Sequence, residues 1–148
     1  MRLLAFFIWG ALALAAGPGG RVEYIGGTVA DLKEKAEARM NTADAAQLVV
    51  QFKKQALTVP FERINQLEYG QKVDRRYLSA VLVSPIFLLA KTRKHFLTVG
   101  YEDAEGRQQA IIFRVEKSDV RALLVSLEAR TGRKVTFQDE EARKAGKG

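Results

Sequence analysis

The chain has 148 residues, 47% hydrophobic and 28% charged, with a net charge of +7 and no cysteine. That length suits one domain with its own core, and the apolar content excludes wholesale disorder. The absence of cysteine excludes disulfides and thiolate metal ligands, so the fold rests on its own packing.

The first element is MRLLAFFIWGALALAAGPGG. Arg2 forms a short positive start, and Leu3 to Ala16 is an uncharged run of fourteen residues. Ala13-Leu14-Ala15 has the small-x-small cleavage pattern, and Gly17-Pro18-Gly19-Gly20 breaks any helix. This order is that of a secretory signal peptide. As a helix, fourteen residues reach about 21 Å, short of the ~30 Å hydrocarbon core that an anchor has to cross. Residues 1–20 therefore read as a signal peptide and linker, and the protein as exported to the periplasm or cell envelope.

RVEYIGGTV (21–29) is β-rich, with Gly26-Gly27 marking a bulge or a close backbone approach. Residues 30–40 are ambiguous. Val29, Leu32, Ala36 and Met40 are spaced as on a helix, yet the segment lies among strands. Asn41 to Asp44 reads as a turn. Leu48, Val50 and Phe52 share one face of a strand, as do Leu57, Val59 and Phe61 of the next, with Lys53-Lys54-Gln55 as the turn between them. Pro60 has no amide hydrogen and assigns its strand to an edge or an end. Ile64, Leu67 and Tyr69 give a further strand, closed by Gly70.

The next stretch, YLSAVLVSPIFLLA (77–90), is uncharged over fourteen residues. Lys72, Arg75 and Arg76 precede it, and Lys91, Arg93 and Lys94 follow. Between Lys72 and His95 six cations face one acid, Asp74, so a local net charge of +5 sits around the apolar run. Pro85 would kink a single helix there. The segment therefore predicts an apolar helical hairpin or loop insert over 72–95, between a strand ending near Gln71 and one starting near His95. The basic clusters would lie together at its base. Residues 96–102 and 108–116 form the last strand pair around the turn Glu102 to Gly106. Val120, Leu123, Leu124 and Leu127 then line one helical stripe, with Ser118 as N-cap and Gly132 as the left-handed end. Residues 138–148 are polar and read as a flexible tail.

The expected fold is mainly β with one C-terminal α-helix: an antiparallel barrel or bent sheet over 21–137, capped by that helix. The order resembles the pleckstrin-homology-like (PH and GRAM) domains of bacteria. ALTVPFERINQLEYG (56–70) carries the likeness, and the hairpin 96–116 and helix 119–131 continue it. Two features depart from the family: the helical look of 30–40, and an insert longer and greasier than its loops. The resemblance implies a binding module for lipids, peptides or proteins.

Material for chemistry is scarce. His95 is the only histidine, and it stands at a strand entrance as a solvated or half-packed residue. Neither a phosphate-binding glycine loop nor a dinucleotide fingerprint occurs. No catalytic, cofactor-binding or metal residue is assigned, and the protein reads as a non-enzyme. The basic charge surrounds an apolar run and does not line a groove, which excludes a nucleic-acid partner.

The candidate contact set is Lys72, Arg75, Arg76, Leu78, Val81, Leu82, Ile86, Phe87, Leu88, Leu89, Lys91, Arg93 and Lys94. The apolar members would enter a membrane interface, and the cations would meet anionic headgroups. The same run also suits a buried element packed on the sheet. It equally suits a surface for another protein or for self-association, so a protein-interaction or scaffold domain is the alternative function.

Overall fold

A computed structural model of the chain describes residues 19–29, 31–33, 35–72 and 94–147. Eight strands form one sheet: β1 (Gly19–Gly27), β2 (Glu37–Asn41), β3 (Gln47–Phe52), β4 (Ala56–Pro60), β5 (Ile64–Gly70), β6 (Phe96–Glu102), β7 (Gln108–Val115) and β8 (Thr136–Phe137). A 3-10 turn, Phe61–Arg63, joins β4 to β5. Two helices follow the last hairpin, α1 (Val120–Thr131) and α2 (Glu140–Lys147).

The sheet order is β4-β3-β2-β1-β7-β6-β5-β8. Neighbours run antiparallel except β5 and β8, which are parallel. Among the described residues the sheet stays open: β4 and β8 are its edges, and no barrel closes. Pro60 ends β4, where a missing amide costs the ladder nothing. The bulge expected at Gly26-Gly27 appears as a register shift between Tyr24 and Gly26.

One face of this sheet holds the core. Leu48, Val50 and Phe52 enter it from β3, and Leu67 and Tyr69 from β5. α1 covers it with the predicted stripe, Val120, Leu123, Leu124 and Leu127, each at most 4% exposed. Gly132 ends α1 at φ 68°, the left-handed conformation in which a side chain would be strained.

One ambiguity is settled and two expectations need correction. Within 30–40, the residues from Glu37 onward are strand β2 and not helix. Pairing with β1 on one side and β3 on the other, plus burial of Met40, outweighs the local helix propensity. The turn before it uses left-handed backbone at Asp31 and Lys35. The start of α1 also differs: the N-cap position is Asp119, not Ser118. Asp119 does not cap the helix; its Oδ2 accepts the Arg21 amide at 2.9 Å and ties α1 to β1. A Cβ on Gly20 would lie 2.7 Å from that of Asp119, so only glycine permits this approach. The tail expected over 138–148, finally, forms helix α2. Asp139 Oδ1 accepts the Ala142 amide at 2.7 Å, and Ala142 is fully buried. Acids open α2 and lysines close it, as the helix dipole favours.

Candidate functional site

Strands β5 and β6 are antiparallel neighbours, and the last residue of β5, Gly70, pairs directly with the first of β6, Phe96. The connection between them therefore leaves and re-enters the sheet at one place. Lys72 and Lys94 stand at this base, Lys72 exposed and Lys94 half-buried. Of the other predicted contact residues, Arg75, Arg76, Leu78, Val81, Leu82, Ile86, Phe87, Leu88, Leu89, Lys91 and Arg93 lie outside the described residues, as does the expected signal peptide up to Pro18.

The base is held by side chains that sequence reading did not single out. Gln138, just after β8, donates through Nε2 to the Lys72 carbonyl at 3.0 Å and to Glu68 Oε1 at 3.4 Å. Its amide donates to the Tyr69 carbonyl at 3.1 Å. His95 fixes the other strand: its carbonyl accepts the Val115 amide at 2.8 Å, and its Nδ1 is hydrogen-bonded to the Tyr69 hydroxyl. Tyr69 meets Phe137 edge-on at 6.0 Å, and Lys147 Nζ lies 5.9 Å from the Phe137 ring. The C-terminal twelve or so residues thus buttress the exit of the connection.

The titration of the pair follows from its surroundings. Burial pushes the Tyr69 hydroxyl up to about 12, so it stays protonated. Burial also lowers the pKa of His95; nearby Lys117 adds to this and Glu116 opposes it. Both shifts favour the neutral forms of Tyr69 and His95, and the tautomer of the ring sets which of the two donates. This bond orients the strand entrance and offers no nucleophile. Among the described residues no group of three or more His, Cys, Asp or Glu is placed to hold a metal ion. Among them, too, no helix is long and apolar enough to cross a membrane.

A second feature lies beside β1, β2 and β3, lined both by outward-facing charged residues and by Val22, Phe52, Leu32, Ala36 and Ala38 of the core side. An open groove of about 1040 Å³ runs between the β1–β2 connection and the β3–β4 turn. Arg21 of β1 stands directly opposite Arg39 of β2, and Arg39 opposite Gln51 of β3. Glu23 and Glu37 form the next row. Like charges directly opposite on a sheet repel. One glutamate is relieved by Arg114, whose Nη2 is 2.6 Å from Glu23 Oε2. Lys53 and Lys54 add charge at the rim. The Arg21–Arg39 row exists only through strand register, so no local sequence motif announces it.

Compared with known proteins, the chain matches no family model and no curated protein.

Proposed function

We propose that the protein is an exported, non-enzymatic binding module of PH-like fold that engages an anionic membrane surface through residues 72–95. It works in the periplasm or cell envelope as a peripheral protein. The observation that carries this reading is the direct pairing of Gly70 with Phe96. It brings Lys72 and Lys94 to one base, and the sequence between them holds the other four cations and a fourteen-residue uncharged run. Cations beside an apolar element suit the boundary between headgroups and acyl chains, at about 1 kcal/mol per cation near a charged surface. A sheet of sequential hairpins covered by a C-terminal helix supports the PH-like assignment.

The second reading is a protein-interaction or self-associating scaffold of the same fold. It is favoured by β4, which among the described residues is an edge strand of five uncharged residues ending in Pro60.

Co-sedimentation with vesicles separates the two. The wild-type chain should pellet with phosphatidylserine-containing vesicles at low salt and less at high salt. Replacing Arg75, Arg76, Arg93 and Lys94 with Gln should weaken binding and flatten the salt dependence. Leu82→Ser with Phe87→Ser should weaken it at every salt concentration. Wild-type protein that stays in the supernatant at low salt would rule out the membrane reading.

A further inference from the structure

Strand β4 leaves one ladder edge of the sheet open among the described residues, and its hairpin with β3 fixes which groups face outward. The Phe52 amide donates to the Gln55 carbonyl at 2.8 Å, and the Phe61 amide donates to the Ala46 carbonyl at 2.9 Å. Both pairs continue the β3–β4 register, in which Leu48 faces Val59 and Val50 faces Leu57. Bonded and non-bonded pairs alternate along an antiparallel ladder. Leu57 and Val59 therefore bond to β3, and the backbone groups of Ala56, Thr58 and Pro60 point away from it. Pro60 has no amide hydrogen, and as N-cap of the 3-10 turn it gives its carbonyl to that turn. The open edge is thus two donors and two acceptors, one of each on Ala56 and on Thr58. Among the described residues no strand pairs with these four groups.

We propose that this edge pairs with the same edge of a second copy of the chain, antiparallel, across a two-fold axis at Leu57. Ala56 of each copy then faces Thr58 of the other. Each such pair exchanges two N–H···O=C bonds, so four bonds use every free group and leave none over. A two-fold contact needs a surface complementary to itself, and this set of groups is one. Moving the axis to Thr58 would bond the Thr58 pair alone and set each Ala56 against a proline with nothing to offer.

Side chains favour the same register. Leu57 is half-buried and packs on the edge of the core. It becomes the central non-bonded pair, with Cα atoms about 4.5 Å apart, and the second Leu57 covers its open side. β4 carries no charge to repel its own image. Lys54 falls opposite Pro60 of the second copy, two residues before the exposed Glu62, so unlike charges lie at each end of the seam. The two Lys54 residues stay about 20 Å apart along the strands. This pairing rests on the self-association reading, to which it gives a partner, a strand and a register. It does not depend on vesicle binding.

Sedimentation velocity of the full chain without lipid, over a concentration series, reads the pairing. The parent should shift from monomer towards dimer as concentration rises. Thr58→Pro deletes an outward amide and no bond to β3, so the variant should keep the parent's circular dichroism and stay monomeric. Should it fail to fold, Thr58→Lys at the same exposed position sets like charges across the axis and should have the same effect. The register is read by cross-linking, since the chain has no cysteine of its own. Under mild oxidation with copper–phenanthroline, Leu57→Cys should form a disulfide-linked dimer several-fold faster than Val125→Cys, a site on α1 that is 60% exposed. A monomer at every concentration, as when another stretch of the same chain fills the edge, would overturn both the pairing and the self-association reading. A dimer that survives both Thr58 variants and does not cross-link at position 57 would overturn the pairing alone.

Discussion

Leu127→Ala is the sharpest probe of how α1 holds the sheet. Leu127 is 0% exposed and is the last member of the stripe that covers the core. The change removes about three carbons at ~0.8 kcal/mol each, some 2.4 kcal/mol of transfer energy. The neighbours Leu123 and Leu124 are fixed on a helix docked on a rigid sheet, so the site collapses only in part. A cavity term then brings the total to about 3–4 kcal/mol, within the range for buried leucines. For a domain of this size each kcal/mol moves Tm by roughly 4 °C, so a fall of about 12–16 °C is expected. The control is Val125→Ala on the opposite side of the same helix, where Val125 is 60% exposed. It should stay within about 0.5 kcal/mol of the parent. Circular dichroism melts of both variants decide it. Equal melting temperatures for Leu127→Ala and Val125→Ala would refute the docking of α1.

Two further perturbations test local features. His95 has a folded pKa below its unfolded value of 6.5, so its neutral form contributes stability above that pH which is lost as pH falls through the folded value. Between pH 7 and 5 the parent should lose more Tm than His95→Gln; parallel curves would mean that the bond to Tyr69 does not govern the acid limb. Gly132→Ala should cost about 1 kcal/mol, through backbone strain alone, because nothing lies within 4 Å of the added Cβ. An unchanged urea midpoint would show that the helix end relaxes elsewhere.

Strands and helix α1 were legible where periodicity and burial coincide. Leu48, Val50 and Phe52 alternate and face the core, and the α1 stripe matches residue for residue. The segment 30–40 misleads because its helix-forming residues are locally persuasive, while the forces that extend it come from β1 and β3 on either side. The tail misleads because its capping signal, Asp139 before two glutamates, is brief and its apolar content is two alanines, Ala142 and Ala145, and a glycine fitted against Phe137. Of the candidate site, sequence located the two lysines at the base. The Gln138 tie, the Tyr69–His95 bond and the facing arginines each join residues at least 18 positions apart, and only register or packing pairs them.

The sheet order also dictates how the chain can be assembled. Strands β1 to β4 follow one another as neighbours, and so do β5 to β7, but the two halves meet only where β1 pairs with β7. Tyr24 has to wait for Phe113, its partner across that seam. Until the second half arrives, β1 presents an unpaired ladder edge with Val22, Tyr24 and Ile25 beside it, the kind of edge that invites pairing with another chain. Closing the seam spans most of the sequence and is the slow, entropy-limited step of folding. A chain in which that step is late has reason to be kept extended until both halves are present.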